Sequence, residues 1–449
     1  MSGVFGMHMC KGKIVKRNGC GRQMKSICRM LCWLLFFFVH PAVFAQDERS
    51  DSLTVRALRE NGVKFTDDNQ VTLLTSGAEK FEDMFKAIEQ ARQYIYLEYF
   101  NFRNDSIGRA LFGRLIRKAK EGVKVRVIYD DFGNFSNDRP LRKRHLNRLR
   151  SDSIQVVVFD PIVFPWINHA LHRDHRKIVV IDGKAVYTGG MNVADYYIHG
   201  RPKYGKWRDM HMRIEGGCVP IYRDIFCDMW KRSTGETIDS MEYKVDSVTL
   251  HTPFVGLKTY TDTVSRDVLL GVASRIPKKS PTVIRKGYID AIDHAEHKIQ
   301  IVTPYFTLVR SVKKALYRAM KRGVKLEVML STNCDVNVTP DISAYYAKRM
   351  MKRGADVFYY EEGFHHSKVM MVDSSFCTVG SANLNSRSLS FDYEVNAFII
   401  DSLTTHRLQH VFEDDKKHST LLTPENWKKR RSFGRRFMGW FYHFLSPLI

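Results

Sequence analysis

The sequence predicts an α/β fold built from two tandem domains of similar structure. Strand and helix patterns alternate along the body of the chain, and the same order of elements occurs twice. A short motif also occurs twice, and its two histidines, His175 and His366, are 191 residues apart. Gly122 and Gly323, which end matching helices, are 201 residues apart. A nearly constant offset favours duplication of a whole domain over chance.

The first half begins with a predicted amphipathic helix over Glu79–Arg92, where apolar side chains recur at helical spacing. The β-branched and aromatic run Tyr94–Phe100 predicts the strand that follows. A second helix is predicted from Ile107 to Gly122. Val123–Tyr129 then predicts the next strand, so this part of the chain has the helix–strand order of an α/β unit.

The second half repeats this order. Gly287–His297 is predicted to be a helix and Lys298–Thr303 a strand. Val312–Arg322 predicts the next helix, and Val324–Leu330 the next strand. The join between the halves is expected in the polar stretch 233–279.

Four segments follow from these patterns. A basic N-terminus with a signal sequence or membrane anchor is expected at residues 1–46, the first domain at 47–245 and the second at 246–427. Residues 428–449 form a tail that mixes arginines with large aromatic side chains. That composition is typical of a segment at a membrane interface, and a packed C-terminal helix is the alternative.

The charge of the chain favours an anionic partner. It has 71 Lys and Arg against 48 Asp and Glu, a formal net charge of +23. The excess remains in the body when the basic N-terminus is set aside. Phospholipid headgroups at a membrane surface and nucleic acids both fit. A hydrophobic content of 44% with 27% charged residues excludes a disordered chain.

The N-terminal segment has the pattern of a targeting signal. Basic residues precede the apolar run Met30–Val39, and Val43–Ala45 is an acceptable small-residue cleavage site. The run is short for a membrane-spanning helix, which needs about 20 residues. A cleaved signal and a retained anchor both remain open. In either case the positive-inside rule places the body on the non-cytoplasmic side of the membrane.

The duplicated motif has the spacing H-x-K-x4-D. Its residues are His175, Lys177 and Asp182 in the first copy, and His366, Lys368 and Asp373 in the second. Each copy is followed by a glycine-containing turn that leads to an asparagine, Asn192 or Asn383, with Gly190 and Ser381 at matching positions. Each motif lies in a predicted hairpin, where strand alternation puts histidine and lysine on one face. The pattern predicts one site to which each copy contributes half.

These residue types suit transfer of a phosphodiester. One imidazole can attack phosphorus and leave again, while the second gives a proton to the departing alkoxide and takes one from the incoming alcohol or water. The lysines and asparagine amides would hold the non-bridging oxygens. We therefore expect no metal and no cofactor, and the absence of any CxxC pair argues against zinc. Which histidine attacks remains open.

Several acidic residues are candidates for supporting roles. We expect Asp182 and Asp373 to close their hairpins, with a possible reach to the histidine of the other half. Glu394 and Asp209 compete with them for that contact, which would fix the tautomer of an imidazole. Ordinary surface charge is the alternative for both. Glu98 is a charged residue inside an apolar strand, which favours a polar role at the edge of the site.

The paired motifs resemble those of the phospholipase D superfamily. Within it, the body of the chain is similar to bacterial cardiolipin synthases. The local strings that carry this resemblance are Tyr96–Phe100, Phe164–Trp166, Arg173–Lys177, Gly189–Asn192, Trp207–Asp209, Thr303–Phe306, Gly380–Ser388 and Leu445–Leu448. The resemblance implies two phospholipase D-like domains related by a pseudo-twofold axis, with the active site at their interface.

The resemblance also implies a reaction. One histidine takes the phosphatidyl group of phosphatidylglycerol as a covalent phosphohistidine and releases glycerol. The hydroxyl of a second phosphatidylglycerol then attacks, giving cardiolipin. The implied setting is a bacterial cell membrane, with a phospholipid substrate, the membrane surface as partner and no obligate protein partner. The single short apolar run departs from the two membrane-spanning helices usual in such synthases.

Two other activities remain compatible with the motifs. A phospholipase D-type hydrolase would use water in place of the lipid alcohol. A nucleic-acid phosphodiesterase would fit the net charge, but the export signal and the aromatic tail favour lipid, so no nucleic acid is expected. Phosphatidylethanolamine is as compatible with the sequence as phosphatidylglycerol for the acceptor lipid.

Overall fold

The computed structural model describes residues 51–163, 171–257 and 265–446. The signal or anchor segment predicted at residues 1–46 lies outside these ranges. Among the described residues, no helix combines the length and the apolar character needed to cross a bilayer.

The first half contains the predicted helices and strands, and additional strands complete its sheet. Its elements are α1 (residues 51–60), β1 (Lys64–Leu74), α2 (Gly77–Glu89), β2 (Tyr94–Tyr99), α3 (Ser106–Lys120), β3 (Lys124–Asp130), α4 (Asp131–Phe135), α5 (Lys143–Ser151), β4 (Gln155–Phe159), β5 (Lys177–Ile181), β6 (Ala185–Gly189), α6 (Tyr196–His199), β7 (Lys206–Arg208), β8 (His211–Glu215), α7 (Val219–Thr234) and α8 (Ser247–His251). Side-chain caps fix the predicted helix starts: Ser76 accepts from the N–H of Glu79, and Asp105 from that of Gly108.

The second half follows the same order. Its elements are β9 (Ser265–Arg275), α9 (Val283–His294), β10 (Lys298–Val302), α10 (Arg310–Lys321), β11 (Lys325–Ser331), α11 (Thr339–Met351), β12 (Asp356–Tyr360), β13 (Gly363–His365), β14 (Val369–Val372), β15 (Phe376–Gly380), α12 (Ser386–Ser390), β16 (Glu394–Ile400), α13 (Ser402–Lys417), β17 (Ser419–Leu421), α14 (Pro424–Lys429) and α15 (Phe433–Tyr442). The predicted fold class, two tandem mixed α/β domains, is confirmed.

One continuous sheet runs through both halves of the described chain. Read outward from its centre, the first half has the order β1-β8-β6-β5-β2-β3-β4, and the second β9-β16-β15-β14-β10-β11-β12, with β17 added at the edge. The two orders match strand for strand. In each half three neighbouring strands are parallel and the others antiparallel. The halves join through antiparallel pairing of the long strands β1 and β9.

Helices cover both faces of this sheet. On one face α7 and α13 share a single apolar core that includes strand residues of both halves. On the other face α2 and α3 pack on the first half, and α9, α10 and α11 on the second. Alternation along β2 fits this layering, because Tyr94 and Tyr96 face one core while Ile95 and Leu97 face the other.

The hairpins of the two motifs are built alike. Asp182 and Asp373 each turn the chain between two strands with a positive φ, 50° and 51°. The Asp182 carboxylate accepts the backbone N–H groups of residues 92, 93 and 94 at 2.7–2.9 Å. Asp373 accepts those of residues 296, 297 and 298 at 2.8–2.9 Å. Each aspartate therefore fastens its hairpin to the start of the adjacent strand, β2 or β10.

Two strands at the centre of the sheet were absent from the prediction. The polar stretch 233–279, in which the join between the halves was expected, also contains β9, which was not predicted as a strand. Strand β1 was not predicted either. Both have polar stretches that break the apolar alternation. Pairing with each other and with β8 or β16 stabilises them, which local sequence does not encode.

Candidate active site

A two-stranded parallel sheet between the halves positions one histidine. Strand β7 of the first half pairs with β13 of the second, with Trp207 opposite Phe364. The next residues are Asp209 and His366, and the His366 N–H donates to the Arg208 carbonyl at 2.6 Å. The Nδ1 of His366 then lies 2.7 Å from Oδ2 of Asp209.

The same arrangement recurs at the other histidine. Asp174 and Tyr393 form an isolated parallel bridge, and the His175 N–H donates to the Tyr393 carbonyl at 3.0 Å. The Nδ1 of His175 lies 3.0 and 3.2 Å from the two oxygens of Glu394. Each histidine thus receives a carboxylate from the opposite half, which leaves its Nε2 as the nitrogen for chemistry.

Both histidines line one cavity of about 550 Å³. Asn192 and Asn383 line it too, at matching positions in the two halves. Aromatic rings surround the imidazoles: Phe100 lies 5.1 Å from His175, and Trp207 lies 5.7 Å from His366 between ring centroids. The fold therefore brings together the two predicted histidines and the two predicted asparagines.

The lysines lie beside the histidines in the interior rather than on the cavity wall. Lys177 donates to the carbonyl of His175. The Nζ of Lys368 lies 2.8 Å from Nδ1 and 3.0 Å from Nε2 of His366. Both lysines are fully buried. Each lysine also acts on a group of the opposite half. Lys368 lowers the pKa of His175, and Lys177 lowers that of Glu394.

Burial sets the protonation of these groups. Burial and the charge of Lys177 lower the pKa of His175 to about 4, although Glu394 acts in the opposite direction. Burial lowers the pKa of Lys177 to about 7 and that of Lys368 to about 8. His366 also has a lowered pKa because of burial and Lys368. At neutral pH both imidazoles are therefore neutral.

The two carboxylates remain charged in spite of their burial. Burial works to raise the pKa of Glu394, yet His175 and Lys177 hold it below its ordinary value. Burial likewise opposes Lys368 and His366, which together hold the pKa of Asp209 below its ordinary value.

Gly190 and Ser381 support these carboxylates. A Cβ at Gly190 would lie 2.2 Å from Oδ1 of Asp209, so only glycine leaves room for that side chain. Ser381 stands at the matching position, since its N–H donates to Val395 as that of Gly190 donates to Met210. The Ser381 hydroxyl donates to Oε2 of Glu394 at 2.5 Å. Both residues therefore position the partner of a histidine.

Asp182, Asp373 and Glu98, three of the predicted site residues, neither line the cavity nor support a histidine or its carboxylate partner. The carboxylates of Asp182 and Asp373 bind backbone amides, and the histidine contacts considered for them are made by Glu394 and Asp209 instead. Glu98 is fully buried and accepts from Nη1 of Arg176 at 3.2 Å. It lies in the interior and not at the site edge, and burial and the charge of Asp174 raise its pKa well above the ordinary value although Arg176 opposes them.

Other cavity residues carried no signal of their own in the sequence. Arg103, Arg201 and Arg387 line the cavity. The first two pair with Asp138 and the third with Asp392. Buried Lys80 donates to the carbonyl of Asn192 at 3.0 Å and so supports the loop that carries the amide. Because lysines at helical spacing are usually exposed, only the fold identifies Lys80 as part of the site.

Comparison with known proteins agrees with this geometry. The family described as cardiolipin synthase, PLD-like domain, matches residues 84–199 and 288–416. The chain is 33% identical over 424 residues to the major cardiolipin synthase ClsA of Bacillus subtilis, covering 94% of this chain and 84% of that protein. It is 32% identical over 452 residues to a cardiolipin synthase of Oceanobacillus iheyensis, covering 99% and 89%.

A solved structure shows the same fold. The phosphatidylserine synthase of Haemophilus influenzae Rd KW20 superposes with a TM-score of 0.68 at 15% identity, covering 88% of this chain and 100% of that one. Both motif copies lie within the matched family segments, and the full-length relatives share about a third of their residues with this chain. The chain belongs to the cardiolipin synthase family of the phospholipase D superfamily.

Proposed function

We propose that this chain is a cardiolipin synthase, a phosphatidyltransferase that joins two phosphatidylglycerol molecules and releases glycerol. One observation carries the proposal: two histidines, each paired with a carboxylate from the opposite half, line the same cavity. Family membership supports the choice of reaction, because the related proteins named above are cardiolipin synthases.

In the first step Nε2 of one histidine attacks the phosphorus of phosphatidylglycerol. A P–N bond forms, and the bond from phosphorus to the glycerol oxygen breaks. The second imidazole, protonated in the substrate complex, gives its proton to the leaving oxygen. In the second step the same imidazole takes a proton from the hydroxyl of another phosphatidylglycerol, whose oxygen attacks phosphorus and releases the histidine.

The positive groups have a defined task in both steps. The phosphodiester brings a negative charge next to Lys177 and Lys368, which favours their protonated forms and offsets their burial. The same charge raises the proton affinity of the histidine that acts as acid. The amides of Asn192 and Asn383 donate to the non-bridging oxygens. Catalysis then consists of positioning and charge stabilisation by this chain's own side chains.

The aromatic surroundings of the site support transfer over hydrolysis. Phe364 and Tyr305 lie 5.3 and 6.2 Å from His366 between ring centroids, in addition to Trp207. Apolar rings reduce the access of water to a phosphohistidine, so that a lipid hydroxyl can compete for it. We further propose that the enzyme acts at a bacterial cell membrane with the phospholipid surface as its partner. The basic N-terminal segment supports a body on the non-cytoplasmic side.

The decisive experiment supplies the purified full-length chain with phosphatidylglycerol in detergent and identifies the products by mass spectrometry. We expect cardiolipin and free glycerol, both lost in His175→Ala and in His366→Ala. His410→Ala is the matched control, because His410 is 79% exposed on α13. Phosphatidic acid as the main product would instead identify a hydrolase. No lipid turnover would contradict the proposal and direct the assay to nucleic acid.

A further inference from the structure

A second cavity lies near the C-terminus, between α11, α14 and α15. It has a volume of about 410 Å³, within the range of ligand sites of about 300–1,000 Å³. Its basic lining residues are Lys348, Arg349, Lys352, Arg353, Arg431, Arg435 and Arg436. We call it the C-terminal cationic pocket. It shares no lining residue with the cavity that holds the two histidines.

Most of the positive charge of this pocket is not neutralised. Of the described residues that line it, Asp341 alone is acidic, and it pairs with Arg431 and Arg435. Among the described residues, the other five cations have no carboxylate partner. Their mutual repulsion is visible at Lys348, whose pKa is lowered by burial and then by Lys352 and Arg436. A group of five unpaired cations in a concave site favours an anionic ligand.

Aromatic side chains adjoin these cations. Trp427 and Trp440 line the pocket. The neighbouring exposed residues of large apolar surface are Phe433, Phe437, Phe441 and Phe444. Tryptophan and phenylalanine beside lysine and arginine are the combination found where a protein meets the headgroup region of a bilayer.

The folded body holds this aromatic segment in a defined position. Gly439 of α15 lies so close to α11 that an added Cβ would be 2.4 Å from the carbonyl oxygen of Asp341. The indole N–H of Trp427 donates to the carbonyl of Ala344 at 3.1 Å. Arg353 stacks 3.9 Å from the Tyr317 ring. The cations and aromatic side chains therefore form a prearranged surface.

We propose that the C-terminal cationic pocket binds the phosphate headgroup of an anionic phospholipid in the membrane, while the aromatic side chains of α15 enter the interface beside it. This is a lipid site separate from the catalytic one, and it does not rest on the catalytic mechanism. The positive charge of the pocket favours an anionic headgroup. The exposed aromatic side chains of α15 favour a lipid in a bilayer over a soluble phosphate.

The test measures lipid retention by the full-length chain in a nonionic detergent with native mass spectrometry. Phosphatidic acid is the anionic probe, because it has no headgroup alcohol to transfer, and the zwitterionic phosphatidylcholine, with no net charge, is the comparison. The pocket variant is Lys348→Gln with Lys352→Gln. The control is Lys124→Gln with Lys321→Gln, which removes two exposed charges elsewhere. Activity on short-chain, monomeric phosphatidylglycerol reports whether each variant is folded.

We expect the pocket variant to retain phosphatidic acid at least about tenfold more weakly, since it loses two of the cations that attract an anionic lipid. Its activity on the short-chain lipid and the binding of the control should stay unchanged. Arg436→Gln, which leaves α11 intact, should weaken retention in the same direction. An equal loss in the control would show a net-charge effect and overturn the site. So would full displacement of the lipid by inorganic phosphate, or equal retention of phosphatidylcholine.

Discussion

Glu394 and His175 are joined by a hydrogen bond across the two halves of the chain, with Oε1 and Nδ1 3.0 Å apart. The Glu394 carboxylate is fully buried, and His175 lies 219 positions earlier in the sequence. The contact fixes the orientation of the ring and favours a proton on Nδ1, which leaves Nε2 as the nucleophilic or acidic nitrogen.

Replacing Glu394 by glutamine should lower kcat roughly 100-fold or more, because the amide lacks the charge that stabilises an imidazolium. Since the carboxylate acts to raise the pKa of His175, its loss should also shift the acid limb of the pH profile to lower pH. Steady-state kinetics across pH measure both effects. Glu60→Gln, an exposed carboxylate on α1, is the control. Unchanged kcat in Glu394→Gln would show that the pair is not used in catalysis.

The pH dependence of kcat/KM should be shifted from that of free histidine. Burial and Lys177 lower the pKa of His175 to about 4. Protonation of His175 should therefore reduce the rate only at a pH well below 6.5, the ordinary pKa of histidine. Lys177 and Lys368, with pKa values of about 7 and 8, are charged below those values and neutral above them. Binding of the anionic substrate should therefore weaken as the pH rises through that range.

Lys177→Met tests this assignment. In this variant kcat/KM should already be lower at pH 6. Most of the decline that deprotonation of Lys177 causes between pH 6 and 8 should then be absent. Lys321→Met, on an exposed position of α10, should keep the profile of the unmodified chain. A profile of Lys177→Met that still falls fully through this range would assign the decline to another group.

Gly190→Ala should reduce activity with little effect on the rest of the fold. The added methyl group would meet the Asp209 carboxylate at 2.2 Å and displace it from His366. We expect a loss in kcat of about 100-fold, as for a misplaced catalytic group. Gly113→Ala is the control, because its methyl group would meet no atom within 4 Å and lies in helix α3. That variant should be as active as the unmodified chain and slightly more stable.

Asp182→Asn should act on stability more than on chemistry. Its carboxylate accepts three backbone N–H groups, and an amide can satisfy only part of this set. We expect the free energy of unfolding to fall by roughly 2–4 kcal/mol, measured by denaturant titration, while the folded fraction retains most of its specific activity. Asp267→Asn, at an exposed position that also has a positive φ, should change neither quantity. A large loss of kcat without loss of stability would return Asp182 to the chemical step.

Much of the fold was predictable because the local signals are strong. The helix and strand patterns around Glu79–Tyr129 and their repeat around Lys298–Leu330 gave the α/β class and the duplication. Strands β1 and β9 were not predictable from their own residues, because their polar side chains obscure the alternation. Their position depends on pairing between residues about 200 apart in sequence.

The site was predictable as a set of residues and not as a set of contacts. Glu394 and Asp209 were candidates from their places in the two halves, but the sequence does not say which histidine each one meets. That assignment depends on the β7–β13 pairing and on the Asp174–Tyr393 bridge, which cross between the halves. Glu98 was expected at the site edge because it is a charged residue in an apolar strand. Its partner in the interior, Arg176, is 78 residues away in the sequence and is identified only by the fold.

The pairing of β1 with β9 has a consequence for the history of the molecule. Two separate copies of one half, meeting edge to edge about a twofold axis, would produce the same antiparallel pairing, and each copy would complete the other's histidine. In such a symmetric homodimer the two imidazoles are identical. In one chain they can differ, and here one imidazole contacts Glu394 and the other Asp209. A single chain can therefore assign attack and proton donation permanently to different histidines, whereas a symmetric homodimer has two identical histidines and cannot.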